Sequence, residues 1–355
     1  MKKKEKEYLP LYWSKKLLQQ LQESFPEGVT AEELLMILNP DHTEEEEIDF
    51  LEKHPWMKLL DQLGEQQAKE CITEMLRDFD SIASVMLWQK NKQVFRLDKD
   101  FTNELVRTED LCFVKDAYKF LPYKVFYVDI SDNKELCQKI LGDGFFIRPE
   151  LSKDEKHWVL HICKIDEKYF YTDVIHAPNE SDRLKTDLLQ ENAEIDLVDL
   201  HLDQPEKVFS KDKTVENTKL LSVLVVQLLT YLSSVEPDIH ENPETKKTYR
   251  PPAKDAAPKN KYSEIQKWDV GVRYGTAYRN WENQKIHTHH VSNGESSGTR
   301  KRPHARRAHW HQYWYGKKGE DRVLRAKWVS EVFVNMKMSE ETPAVVHKVQ
   351  RGEDR

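Results

Sequence analysis

The chain has 355 residues, of which 38% are hydrophobic and 33% are charged, a composition typical of globular proteins that live in water. No apolar run reaches the ~18 residues that a membrane-spanning helix needs. The basic first ten residues also lack the apolar core of a secretory signal. We therefore expect a cytoplasmic protein that has no membrane partner.

Charge and cysteine are unevenly spread along the chain. Residues 250–335 contain 18 Lys and Arg against 8 Asp and Glu, a net charge of +10, so a total of −7 leaves −17 on the rest. A basic region on an acidic body favours a polyanionic partner or an electrostatic contact between the two parts. The four cysteines form no C-x-x-C pair, which predicts reduced, mostly buried thiols.

The N-terminal part of the chain shows helical spacing. From Leu11 onward, apolar residues recur every three to four positions until Pro26 interrupts the pattern. Thr30, followed by Ala-Glu-Glu, is typical of a helix N-cap with acidic residues in the first turn. These patterns predict a helical region over residues 1–110.

The central part of the chain changes from helical spacing to alternation. Between residues 121 and 176, four segments alternate as strands of a small antiparallel sheet, with a tight turn at Asp166 between the last two. Residues 214–234 are apolar almost all round, which predicts a buried helix packed on this sheet. We assign residues 111–242 to the sheet and its helix.

Three further divisions complete the predicted organisation. Residues 243–261 are rich in Pro, Lys and Ala and predict a linker. Residues 262–335 form a basic, aromatic module, and residues 336–355 form a polar tail. The predicted fold class is α+β, with a helical N-terminal region, a central antiparallel sheet packed on a buried helix, and a C-terminal basic β-hairpin.

The hairpin carries the most unusual stretch of the chain, RKRPHARRAHWHQYWYG over residues 300–316. It combines five Lys and Arg, three His, two Trp and two Tyr. Residues 304–315 alternate as a strand, GKKGED is typical of a turn, and RVLRAKWVSEVFVN alternates as the returning strand. Alternate residues fall on opposite faces, with His309, His311 and Tyr313 on one and Trp310, Gln312 and Trp314 on the other.

Metal binding and catalysis have little support in this stretch. His309 and His311 point the same way, but no C-x-x-C or H-E-x-x-H motif accompanies them, and the neighbouring cations repel a divalent ion. The chain has no glycine-rich phosphate loop, nucleophile elbow or acidic metal pair, so a His-dependent nuclease remains a weak alternative. We expect no catalytic residue, no metal and no cofactor.

Binding of a peptide or a nucleic acid fits these residues better. Arginines neutralise phosphates, and Trp, Tyr and His rings stack on unpaired bases. The alternative, which the sequence leaves open, is that the tryptophans belong to the core. The candidate contact residues come from both strands: Arg302, His304, Arg306, Arg307, His309, Trp310, His311, Tyr313, Trp314, Arg325 and Trp328.

The hairpin also resembles the C-terminal signature of the second family of type V-A anti-CRISPR proteins, which is spread through bacterial mobile elements. Three other stretches are similar to that family in the same order, namely LPYKVFYVDIS, LLTYLSSVEPDI and WDVGVRYGTAYRNW. Ala308 departs from the family pattern, which usually has glycine at that position.

The resemblance implies a function that is not enzymatic. It implies a protein that lowers production of a type V-A effector nuclease, or of another target, by recognising the nascent N-terminal peptide and causing loss of the message. The implied partners are a nascent polypeptide and either the ribosome or mRNA. The residues alone leave a second reading open, a nucleic-acid-binding protein or nuclease of a mobile genetic element.

Overall fold

The computed structural model describes a mixed α+β fold. The described residues are 9–24, 83–108, 114–140, 142–152, 154–165, 170–180, 195–198, 211–242, 265–290, 304–317, 322–330 and 332–334, with isolated positions at 30, 33, 45, 49 and 53. The predicted linker and polar tail lie outside these ranges. The domain boundaries given above therefore stay predictions.

Eight strands form the central sheet, in the spatial order β6-β5-β4-β3-β2-β1-β8-β7. Their bounds are β1 Gln93–Leu97, β2 Phe126–Asp129, β3 Gly144–Leu151, β4 His157–Ile165, β5 Phe170–Pro178, β6 Ile195–Val198, β7 Ile239–Glu241 and β8 Gln266–Val270. The pairs of β1 with β2 and with β8 are parallel, and the other five pairs are antiparallel. The α+β class is confirmed, and the sheet is mixed where a wholly antiparallel one was predicted.

Strand β1 accounts for that difference. It lies inside the N-terminal region for which helices were predicted, and it is only five residues long. Its partner in β8 is far away in the sequence, because Gln93 pairs with Gln266, 173 residues later. A short strand that pairs at such a separation leaves no local signal beyond a few apolar residues.

Helices cover both faces of the sheet. Their bounds are α1 Leu9–Ser24, α2 over residues 83–91, α3 Lys99–Arg107, α4 Lys134–Ile140, α5 Lys211–Ser233 and α6 Val272–His290, with a short 3-10 helix at Ala117–Phe120. Helix α5, predicted over 214–234, packs on one face against residues such as Ile147 and Ile162. Trp13 of α1 and Trp88 of α2 pack on the other face against Phe146. In the described part of the chain, no helix has both the length and the apolarity that crossing a bilayer requires.

The start of α6 is fixed by residues from two other segments. The Asp238 carboxylate accepts a hydrogen bond from the Arg273 backbone N–H at 2.9 Å, and its backbone oxygen accepts one from Gly271 at 2.9 Å. Gly271 has a φ of 74°, and a Cβ there would collide with the Phe101 ring. On the next turns, Arg279 pairs with Asp98 at the N-terminus of α3. These contacts join α3, α6 and the loop after α5.

The basic hairpin forms as predicted, and it is separate from the central sheet. Its strands are β9 His304–Arg306, β10 His309–Tyr315, β11 Val323–Val329 and β12 Val332–Val334. β10 pairs with β11 and β9 with β12, both antiparallel. The register is the same on both sides of the break, since Arg306 faces Val332 and His309 faces Val329. The four strands therefore make one two-stranded ribbon, named the ribbon below.

Candidate functional site

One face of the ribbon is attached to the helices through Trp328. Its ring lies 5.4 Å from those of Phe101 in α3 and Tyr274 in α6, and 5.6 Å from that of Tyr231 in α5. Burial raises the pKa of the Tyr231 phenol, whose oxygen accepts a hydrogen bond from the Asp238 backbone N–H at 2.8 Å. Trp328, predicted as a contact residue, thus belongs to an aromatic cluster that joins the ribbon to three helices.

Trp310 lies on the same face, directly across from Trp328. Its ring is half-buried, and its indole N–H donates to the Gln227 side-chain oxygen of α5 at 2.7 Å. A buried indole needs such an acceptor, and Gln227 supplies it from within the hydrophobic core. Gln227 is not among the contact residues predicted from the sequence, although a polar residue in the middle of an apolar helix is an available signal.

Arg325 points to the protein's own backbone. Its guanidinium donates to the Ser233 carbonyl at 2.9 Å and lies over the Phe120 ring, 4.3 Å from its centroid. Ser233 is the last residue of α5, where the free carbonyls of a helix attract a cation. Lys327 also makes an internal contact, with Glu236 at 3.0 Å. Both cations of β11 therefore attach the ribbon to the end of α5.

The other face of β10, named the ring face, is open to solvent. His309, His311 and Tyr313 alternate along the strand and are all exposed, Tyr313 by 41%. The His311 and Tyr313 rings stack with centroids 4.7 Å apart and planes 25° apart. Trp314 shares the face of Trp310 but is 62% exposed, because it lies toward the free end of the hairpin. The ribbon thus buries two of its tryptophans in part and presents the third to solvent.

The remaining predicted contact residues lie at the start of the ribbon. Arg302 is outside the described residues, and the structure describes only the backbone of His304 and Arg306, in β9. Arg307 is exposed at the break between β9 and β10. Ala308 is buried, so its methyl group is accommodated inside the structure.

All the charged residues in the described part of the ribbon are cations. Residues 304–317 and 322–330 contain six Lys and Arg and no Asp or Glu. Among the residues that the structure describes, no group of three His, Cys, Asp or Glu is arranged to hold a metal ion. The ribbon therefore offers flat rings, positive charge and strand backbone, which suit binding by stacking, ion pairing and main-chain hydrogen bonds.

The backbone of β10 has one unpaired edge in the described part of the structure, where its only strand partner is β11. The outer edge of β11 is partly occupied, since the Val235 N–H donates to the Ala326 carbonyl at 3.0 Å. That carbonyl points away from β10, so Ala326 and its partner Gln312 are a non-hydrogen-bonded pair. By alternation, the backbone groups of Trp310, Gln312 and Trp314 are directed to the outer edge of β10, and the Gln312 carbonyl there lies 3.3 Å from the His311 Nδ1.

Comparison with known proteins places the chain in a family. The model of the AcrVA2-like family, anti-CRISPR type V subtype A2, matches residues 95–336, which are 242 of the 355 residues. The chain belongs to this family. The match begins within β1 and runs through the ribbon, so it includes the central sheet, α5 and α6 of this AcrVA2-like protein. The anti-CRISPR assignment made from the hairpin sequence is confirmed, and it implies interaction with a component of a CRISPR system.

Comparisons with curated proteins and with solved structures give less information about the chain. No curated protein matches this AcrVA2-like chain. A solved structure titled "Crystal structure of AcrVA2" is similar at 18% sequence identity, over 92% of this chain and 94% of that chain, with a TM-score of 0.43.

Proposed function

We propose that this AcrVA2-like protein lowers production of a type V-A CRISPR effector nuclease by binding the N-terminal segment of the effector while it is being synthesised. Binding leads to loss of the effector's message, and the protein carries out no catalysis of its own. The observation that best supports this proposal is the outer edge of β10, which has no strand partner among the residues that the structure describes. An extended peptide pairs with such an edge through main-chain hydrogen bonds.

The edge has a suitable length and orientation. β10 is seven residues long, which corresponds to about 23 Å of extended chain. The backbone groups of Trp310 and Trp314 are directed outward, so a peptide strand meets a donor and an acceptor at both positions, on either side of Gln312. Pairing would extend the ribbon to three strands. A nascent chain that has not yet folded is extended enough to pair in this way.

The proposal is tested in bacteria that express a type V-A effector with and without this protein. Effector protein and effector mRNA are both expected to fall. Fusing the effector's N-terminal segment to an unrelated reporter is expected to make the reporter sensitive, whereas the same segment in shuffled order is not. A reporter that stays at its normal level with the intact segment would contradict recognition of the nascent N-terminus.

The edge itself is tested with a matched pair of variants at one position. Gln312→Pro removes an outward N–H while leaving the hydrogen bonds between β10 and β11 in place, as proline is tolerated on such edges. Gln312→Ala changes the side chain and keeps the N–H. Only the proline variant is expected to bind a synthetic peptide of the effector N-terminus more weakly. Equal binding by both variants would exclude pairing at this edge.

The salt dependence of binding distinguishes the proposal from the alternative reading, a nucleic-acid-binding protein without a peptide target. Pull-down from translating extracts that survives raised salt and requires the effector segment supports the proposal. Steep loss of binding with salt, whatever is being translated, supports the alternative.

A further inference from the structure

The ring face has a chemistry that pairing at the β10 edge does not use. A peptide that extends a strand lies in the plane of the ribbon, while the side chains of His309, His311 and Tyr313 stand out of that plane. Their rings are exposed, and two of them already stack on each other at 4.7 Å. Exposed His and Tyr rings on a strand are the surfaces on which unpaired bases stack in single-strand-binding proteins.

The charges around the ring face favour a polyanion. Arg307 is exposed at one end of β10, and Lys317 and Arg322 are exposed at the hairpin end. Arg325 and Lys327 lie directly across from Tyr313 and His311 and contact Ser233 and Glu236 as described above. Cations thus flank the row of rings at both ends. The described ribbon contains no Asp or Glu, and the nearby Glu236 carboxylate is paired with Lys327. Main-chain pairing of a peptide does not require these cations, whereas a nucleic-acid backbone binds to them.

We propose that the ring face of β10 binds single-stranded RNA, with His311 and Tyr313 stacking on bases and the flanking cations contacting phosphates. The inference rests on the proposed function, since that function places the protein beside a translated message. Edge and ring face then have separate tasks. The edge of β10 binds the nascent peptide, and the ring face binds the RNA near it without strong sequence preference.

The test uses the purified full chain and a fluorescent single-stranded RNA of mixed sequence, about 12 nucleotides long to match common single-strand sites. Binding is followed by fluorescence anisotropy at several salt concentrations. His311→Ala combined with Tyr313→Ala is expected to weaken binding about tenfold or more, the effect of losing stacked bases. Lys317→Gln and Arg322→Gln are each expected to make the negative slope of log affinity against log salt concentration shallower by about 0.7.

A matched control separates stacking from any loss of an exposed ring. Tyr12 in α1 is 42% exposed, against 41% for Tyr313, and lies outside the ribbon. Tyr12→Ala is expected to bind the RNA as tightly as the unchanged protein. The same RNA annealed to its complement is expected to bind more weakly than the single strand, since paired bases are not available for stacking.

Several outcomes would overturn the inference. These are RNA affinity that the paired ring substitutions leave unchanged, equal affinity for the duplex, or tighter binding of a single-stranded DNA of the same sequence. Ring substitutions that weaken binding of the effector peptide and not of RNA would make the ring face a peptide surface. In contrast, ring-dependent RNA binding by a protein that leaves effector production unchanged would refute the proposed function and support the RNA contact.

Discussion

The central sheet and the ribbon are built from similar apolar and aromatic strands, yet they differ in how many faces the helices cover. Helix α5 covers one face of the central sheet, and α1 and α2 cover the other. In the described part of the ribbon, the helices pack on the face of Trp310 and Trp328. On the ring face His309, His311 and Tyr313 are exposed, and Arg325, across from Tyr313, contacts Ser233 and Phe120. Alternation in the sequence tells which residues share a face. The helices that arrive from elsewhere in the chain decide which face becomes core and which stays available for binding.

The largest test of this contrast compares two tryptophans of the same ribbon. Trp328→Ala removes the ring that joins three helices, and it is expected to lower the free energy of unfolding by about 3–5 kcal/mol. Trp314→Ala removes a ring that is 62% exposed and is expected to change it by about 0.5 kcal/mol or less. Urea denaturation followed by circular dichroism measures both. Similar losses would mean that packing does not distinguish the helix-covered part of the ribbon from its exposed end.

A smaller effect is expected for the attachment of the ribbon to α5. Arg325→Ala removes the hydrogen bond to the Ser233 carbonyl and the contact with Phe120. The expected loss is about 1–2 kcal/mol, at the lower end for a charged hydrogen bond because the Arg325 Nε is buried and has no partner among the described residues. Arg322→Ala, at an exposed arginine of the same hairpin, serves as the control in the same denaturation experiment. A loss as large in the control would argue against a specific attachment by Arg325.

The smallest effect concerns a carboxylate of the central sheet that lies beside two basic side chains. The Glu150 carboxylate lies 3.6 Å from His161 and 2.8 Å from Arg148, and the interaction with His161, ahead of that with Arg148, is the main cause that lowers its pKa below the ordinary 4.5. Because the folded-state pKa is lowered, the stabilisation is present above the ordinary value and is lost as the pH falls through the folded one. The difference in urea midpoint between the unchanged protein and Glu150→Gln should therefore shrink as the pH falls below 4.5.

The control for that titration is Glu135→Gln. Glu135 pairs with Lys139 on the surface of α4, where water screens the interaction. Its variant is expected to differ less from the unchanged protein at every pH. A difference for Glu150→Gln that grows on acidification would reverse the assigned sign.

Sequence patterns predicted the elements whose signal is local. The apolar run over 214–234 gave α5, observed at Lys211–Ser233, and the alternation over 304–315 gave β10 and its faces. The turn predicted at Asp166 is consistent with the observed pairing of β4 with β5, although the turn itself lies outside the described residues. In each case, residues close in sequence carry the information, as the periods of helices and strands require.

What the sequence left open depends on contacts between distant segments. The position of Trp328 against Phe101 follows from the way α3, α5 and α6 meet, and no period in the ribbon records it. The Trp310 contact with Gln227 and the Arg325 contact with Ser233 are of the same kind. Three of the predicted contact residues, Trp310, Arg325 and Trp328, therefore attach the ribbon, while His311, Tyr313 and Trp314 are at its surface.

The aromatic cluster at Trp328 also bears on how this protein is itself made. Its rings come from positions 101, 231, 274 and 328, so the last of them leaves the ribosome long after the first. Until then Phe101, Tyr231 and Tyr274 are not packed against Trp328. The growing chain therefore exposes an apolar surface to which chaperones bind or through which the chain aggregates. A protein proposed to act on the unfinished chain of another thus passes through a vulnerable unfinished stage of its own.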